Sequence, residues 1–228
     1  MRSSGQRGEL LSSGYQGVVY KVRAGPEYPD TEYLIVKEAM GSALLRWFRR
    51  WMIRRESVVY QRLDGIPGVP RCFGLSEGRL LLEFIDGRPL RLSAGELPDR
   101  EAFFAALLDI LRAAHAAGVA HADMKRKDNI LVTPDGRPYL IDFGSAVVSA
   151  KGRGAWRRWL FGQACQIDLN AWIKHKYLGR YTDLNEADAL IFKPTRIERL
   201  ARPVRKAWRK LTARQLRKAR KAGRSSPR

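Results

Sequence analysis

Along the first third of the chain, apolar and polar positions alternate or run in short blocks cut by glycine and proline. Residues 8–11, 18–23 and 33–38 are β-rich, the pattern of short half-buried strands. The segments between them, Ser12-Ser13-Gly14-Tyr15-Gln16-Gly17 and Gly25-Pro26-Glu27-Tyr28-Pro29-Asp30, carry turn chemistry. Residues 43–63 read as a helix, 65–70 as a loop, and 72–75 and 80–85 as two further strands. Asp86-Gly87-Arg88-Pro89 breaks the pattern and reads as a connector. The period then changes. From 101 to 117, Phe103, Leu107, Ile110, Leu111 and Ala114 share one helical side, with Asp99 placed to cap the start and Gly118 to end it. Residues 130–132 and 139–141 form two short strands around Pro134-Asp135-Gly136, and beyond Gly144 the chain reads helical and basic. The expectation is an α+β chain with a β-rich first third, one helix within it, a mostly helical remainder and no internal repeat.

Composition narrows the classes. Hydrophobic residues make up 45% of 228, enough to close a core, which excludes intrinsic disorder as the default. Two cysteines, Cys72 and Cys165, do not build a disulfide scaffold. No apolar run reaches the roughly 18–20 residues of a membrane span, and the N-terminus lacks the apolar centre of a secretory signal. The expectation is a soluble cytoplasmic protein with both thiols free.

The net charge is +20 and unevenly spread. The stretch from Arg196 to Arg228 holds 14 Lys/Arg against the single acid Glu198. Within it, Ile197, Leu200, Val204, Trp208, Leu211 and Leu216 recur at three- to five-residue spacing, close to one helical face ringed by cations. Such a helix suits an anionic membrane surface. It also suits nucleic-acid phosphates, or simply packs on the body of the protein. Among the charged partners the membrane is preferred. Two more segments, 44–55 and 155–161, mix arginines with large aromatics, a combination that fits a lipid headgroup layer as well as the edge of a core.

Four segments carry chemistry. Ser12-Ser13-Gly14-Tyr15-Gln16-Gly17-Val18-Val19 lies between strands, where glycines let a backbone approach phosphate oxygens. Tyr33-Leu34-Ile35-Val36-Lys37 ends an apolar strand on a lysine, and Glu56 is the only acid between Gly41 and Asp64 available to hold it. His121-Ala122-Asp123-Met124-Lys125-Arg126-Lys127-Asp128-Asn129-Ile130-Leu131-Val132 follows a helix and precedes a hairpin. Tyr139-Leu140-Ile141-Asp142-Phe143-Gly144 closes a short strand. In type, order and context these resemble the glycine-rich loop, the strand lysine, the catalytic loop and the D-F-G motif of protein kinases. The pattern also resembles small bacterial kinase-like proteins of the RIO-type and lipopolysaccharide (Kdo/heptose) kinase kind, which tolerate a longer catalytic loop. The resemblance covers roughly residues 9 to 178.

The resemblance implies a two-lobed kinase-like fold with a β-rich N-lobe (1–85), a reduced helical C-lobe (86–195) and the basic tail (196–228). It implies ATP and Mg²⁺. Ser12, Gly14, Gly17, Val19, Lys37, Glu56, Glu83 and Ile85 would bind the nucleotide, with the backbone of Glu83-Phe84-Ile85 meeting adenine. Asp123 would accept or orient the proton of the attacking hydroxyl, and Lys125 would neutralise charge on the moving phosphoryl group. Asp142 and Asn129 would hold metal. The family places the Asn five residues after the catalytic Asp; here that position is Asp128 and Asn129 comes sixth. Asn129 is preferred because it directly precedes the next strand, with Asp128 as the alternative. His121 would brace the loop, as would Asp168. Ala122 stands where many kinases keep an arginine, which implies a constitutive enzyme.

Too few residues follow Gly144 for a full peptide-docking lobe, and no Ala-Pro-Glu motif occurs. The acceptor would be a hydroxyl, either protein Ser/Thr or a lipid-linked sugar at the inner face of a bacterial membrane. The alternative is a nucleotide-binding pseudokinase acting as a scaffold.

Overall fold

The computed structural model describes residues 8–14, 17–149 and 154–195. The tail from Arg196, on which the membrane expectation chiefly rests, lies outside the described residues, as do Tyr15 and Gln16 of the glycine-bearing loop. The described chain is α+β, with a β-rich N-terminal region followed by helices.

Five antiparallel strands form the first sheet: β1 (Glu9–Gly14), β2 (Gly17–Arg23), β3 (Tyr33–Glu38), β4 (Cys72–Ser76) and β5 (Arg79–Glu83), in the order β1-β2-β3-β5-β4. Helix α1 (Ala43–Arg62) runs from β3 towards β4 and packs on β3, β4 and β5. The alternation in β3 buries Leu34 and Val36. β1 runs on to Gly14, so Ser12 and Gly14 belong to a strand rather than to the loop expected there. Gly14 pairs with Gly17, and a Cβ on Gly17 would lie 2.2 Å from the Glu38 carbonyl oxygen, so glycine is needed there. β5 ends at Glu83, two residues short of the expected end, so Ile85 follows the strand.

The connector at 86–89 is partly ordered: β6 (Arg88–Pro89) pairs with β8 (Ile130–Val132), which pairs with β9 (Pro138–Leu140). A short helix α2 (Leu90–Ser93) follows β6 and then α3 (Arg100–Ala116), whose N-terminus is capped by the Asp99 carboxylate accepting from the Ala102 amide at 2.9 Å. β7 (Val119–Ala120) pairs with β10 (Val147–Val148), a strand in a region read as helical. Helices α4 (Ala155–Lys176) and α5 (Glu186–Ile191) complete the order. α3 packs against α4, where Phe104 meets Trp172 edge-on and the Trp172 indole N–H donates to the Phe104 carbonyl at 2.7 Å. The segments 121–129 and 141–146 run between the strands of this block. Both cysteines are unpaired. No helix among the described residues is long and apolar enough to cross a membrane.

Candidate active site

The site begins with the register of the sheet. Val19 pairs with Lys37, so both side chains leave the same face. That face looks into a cavity of about 330 Å³ lined by Ser12, Gly17, Val19, Lys37, Glu56 and Asp142, among others. The size fits a small-molecule ligand.

Lys37 is the hub. Its Nζ donates to Glu56 Oε1 at 2.6 Å and to Asp142 Oδ1 at 3.1 Å, joining residues 19 and 105 positions away. Burial works against the ammonium, but the charges of Glu56, Tyr60 and Asp142 together raise its pKa above the usual lysine range. Burial likewise would raise the Asp142 carboxyl; Lys37, His121 and the Gly144 amide outweigh it and hold the group below the usual range. The site therefore keeps Lys37 cationic and Asp142 anionic across the physiological range.

Helix α1 supplies more than Glu56. One turn on, the buried Tyr60 accepts a hydrogen bond from the Asp142 amide at 3.1 Å and meets the Phe143 ring edge-on at 5.2 Å. The Arg55 guanidinium donates to the carbonyls of Gly144 and Ala146. Sequence reasoning missed both. The i, i+4 spacing of Glu56 and Tyr60 was the available signal; Arg55 is indistinguishable in sequence from its arginine neighbours.

The loop from His121 is braced from below. Asp168, on α4 and fully buried, accepts from the backbone amides of His121 at 2.7 Å and Ala122 at 2.8 Å, and faces His115 Nε2 at 3.2 Å. His121 Nε2 lies 3.0 Å from the Ile141 carbonyl, so it ties this loop to the one bearing Asp142, while its Nδ1 accepts from the Asp123 amide. Ala122 and Asp142 both take left-handed backbone conformations, with φ of +63° and +64°. Non-glycine residues adopt these only when the surroundings impose them.

Asn129 is buried and its Nδ2 donates to the Asp123 carbonyl at 3.1 Å and to Asp123 Oδ2 at 3.3 Å. Asp128 turns the other way and accepts from Arg91 Nε at 2.9 Å. Of the two, only Asn129 is tied to Asp123. Arg126, not singled out in the sequence, lines the cavity and places Nη1 3.9 Å from Asp123 Oδ2.

Two groups of expected residues stand apart. Glu83 and Ile85 do not line this cavity; Glu83 is engaged with Arg71, which it contacts through both its amide and its carboxylate. Lys125 is exposed and lines a second cavity instead. Among the described residues no three His, Cys, Asp or Glu side chains cluster as a metal site. Any cation here would be held by one carboxylate and one amide oxygen with the ligand's own oxygens. Asn129, having committed its Nδ2, retains Oδ1 for that purpose.

Comparison with known proteins points to serine/threonine protein kinases at a distance, and no family model matches the chain. The serine/threonine-protein kinase PknH of Mycobacterium bovis is 33% identical over 147 residues, which is 60% of this chain and 24% of that protein. PknH of Mycobacterium tuberculosis matches equally, over 22% of its length. A putative cyclin-dependent kinase F-2 of Oryza sativa subsp. japonica is 38% identical over 81 residues, 32% of this chain and 24% of that one. The chain thus spans about a quarter of the length of these relatives.

Proposed function

We propose that the protein is a kinase-type phosphotransferase that moves the γ-phosphoryl group of ATP to a hydroxyl. The observation that carries this reading is the convergence of Lys37, Glu56 and Asp142 on one cavity, with Asp123 and Asn129 on the adjoining loop. The distant similarity to serine/threonine kinases agrees with it. In this reading 1–85 and 86–195 act as nucleotide-binding and catalytic units.

Phosphoryl transfer demands alignment and charge neutralisation rather than covalent help. Lys37 orients the inner phosphates, and Glu56 keeps it pointed into the cavity. The acceptor oxygen forms a bond to the γ-phosphorus as the bond to the β–γ bridging oxygen breaks. The hydroxyl proton passes to the Asp123 carboxylate, and ADP leaves. Asp142 and the Oδ1 of Asn129 would hold Mg²⁺, which when bound neutralises and orients phosphate oxygens. Asn129 Nδ2 keeps the Asp123 carboxylate in place. Ser12, Gly14 and Gly17 would cover the phosphates, while Glu83 and Ile85, which lie outside the cavity lining, would meet only a base that reaches beyond it. Lys125 lines the second cavity rather than this one, so no part in the transfer is assigned to it.

Asp123→Asn tests this. ATP binding should be unchanged, while turnover, followed as ADP released or label transferred, should fall by about 10²-fold or more. Equal turnover removes Asp123 as the proton acceptor. An absence of turnover in the unmodified chain, with ATP binding intact, favours the pseudokinase alternative. Sorting labelled product from a membrane extract into protein and lipid fractions separates a protein Ser/Thr acceptor, as in an atypical RIO-like kinase, from a lipid-linked sugar.

A peripheral membrane location is also part of the reading. The outward side of α1 exposes Leu44, Trp47 and Trp51, with Arg46, Arg50 and Arg54 beside them. Trp156 and Trp159 on α4 are likewise exposed next to Arg157 and Arg158. Apolar rings flanked by cations match an anionic headgroup layer, and the basic tail would add to the same contact.

A further inference from the structure

A second cavity, of about 380 Å³, lies along residues 125–128. It is lined by Arg91, Lys125, Arg126, Lys127 and Lys174, together with His175, Leu178 and one acid, Asp128. Asp128 pairs with Arg91 at 2.9 Å, and Arg126 faces Asp123 at 3.9 Å. Among the described residues no acid pairs with Lys127 or Lys174. On an open surface such cations spread apart and are screened by water and salt. In a concavity their fields add, and the space attracts anions.

His175 reports that field independently. It is 3% exposed, and its Nε2 donates to the Met124 carbonyl at 2.7 Å. Its Nδ1 is buried with no hydrogen-bond partner. Burial first, then the charges of Lys127, Lys174 and Arg100, push its pKa below the usual histidine range, against the Met124 bond. With Lys127 and Lys174 in the lining, the surroundings of this imidazole are positively charged, which favours a negatively charged occupant of the cavity.

The position relates this cavity to the chemistry. Arg126 lines both cavities and stands 3.9 Å from Asp123 Oδ2. The carbonyl that His175 holds belongs to Met124, the residue after Asp123. The second cavity therefore adjoins the segment that carries Asp123.

We propose that this cavity binds a phosphomonoester already present on a small acceptor, so that the substrate is a phosphorylated alcohol held by Arg91, Arg126, Lys127 and Lys174 while another of its hydroxyls meets Asp123. The proposal rests on the kinase reading for the role of Asp123. Guanidinium and ammonium donors match a phosphate dianion. The volume suits a small molecule rather than a folded domain. Among the described residues of the lining Leu178 is the one apolar side chain, and no Phe, Tyr or Trp is present to stack a nucleic-acid base.

The test titrates the full chain, saturated with Mg²⁺ and a non-hydrolysable ATP analogue, with glycerol 3-phosphate, glycerol, inorganic phosphate and a phosphoserine peptide, by calorimetry. Glycerol 3-phosphate should bind more tightly than the other three. The double variant Lys127→Gln/Lys174→Gln should weaken it by about tenfold or more, the loss of two charge-assisted contacts, and should leave the analogue's affinity within about twofold. Undetectable glycerol 3-phosphate binding, or binding equal in the variant, overturns the proposal. Tighter binding of inorganic phosphate assigns the cavity to free phosphate and overturns the acceptor role; tighter binding of the peptide overturns the small acceptor. The kinase reading fails separately. If the analogue does not bind, or binds regardless of Asp142→Asn, that reading falls, and the same titration without nucleotide still decides the anion site.

Discussion

Asp142 is held on three sides: its carboxylate by Lys37, its amide by the Tyr60 hydroxyl and its left-handed backbone by the loop around it. The depressed carboxyl has a stability consequence whose sign is fixed. A group with a folded pKa below its unfolded value of about 3.9 stabilises the fold above that pH and loses the contribution as pH falls through the folded value. Urea midpoints between pH about 5 and 2.5 should therefore fall less steeply in Asp142→Asn than in the unmodified protein. Parallel profiles would show that the Lys37 pair adds nothing. Tyr60→Phe keeps the ring against Phe143 but leaves the Asp142 amide without its acceptor. It should cost about 1–3 kcal/mol in equilibrium unfolding and weaken Mg-ATP binding, read as a smaller thermal shift on adding nucleotide.

At the scale of elements, α1 and α4 do complementary work. α1 sends Glu56 and Tyr60 inward to Lys37 and Asp142, while Arg55 fastens the chain just after Asp142. α4 sends Asp168 beneath His121 and Ala122. Asp168→Ala strips the acceptor from two backbone amides and should destabilise the fold by about 3 kcal/mol or more. Asp168→Asn, which retains one acceptor oxygen, should lie between. Equal unfolding midpoints for all three proteins would remove the brace. Lys37, Glu56, Asp123, Asn129 and Asp142, which the structure brings near one another, stood out in sequence by their residue types and order in or beside the four motif segments. Arg55, Tyr60 and Arg126 did not, because a buried turn of helix and a run of basic residues carry no spacing that separates a partner of the site from ordinary packing or solvated charge. The β6 and β10 strands were missed for a related reason: two-residue strands are made by pairing with distant chain, not by local pattern.

For the whole molecule, the relevant quantity is where charge and exposed apolar surface coincide. Trp47 is 68% exposed and Trp51 53%, on the side of α1 opposite Ile53, Glu56 and Tyr60. Trp47→Ser/Trp51→Ser should reduce co-sedimentation with vesicles containing anionic lipid and leave the unfolding midpoint within about 0.5 kcal/mol, since neither ring is part of the core. Binding of the unmodified chain should weaken as salt is raised from about 0.05 to 0.5 M. Vesicle binding that is indifferent to both the substitutions and salt would return these rings to ordinary surface. The general architecture was readable from the switch in hydrophobic period near residue 90. The two cavities were not, because a concavity depends on how segments far apart in sequence come to face each other.

The placement of Asp168 also bears on biogenesis. All the motif residues, from Ser12 to Asp142, leave the ribosome before α4 does. A nascent chain that has exposed only those segments has the full set of reactive groups but no carboxylate under the His121 and Ala122 amides. Competence is thus deferred until α4 has cleared the exit tunnel and docked, and a product cut short before Asp168 would carry every signature of the site yet be unable to assemble it.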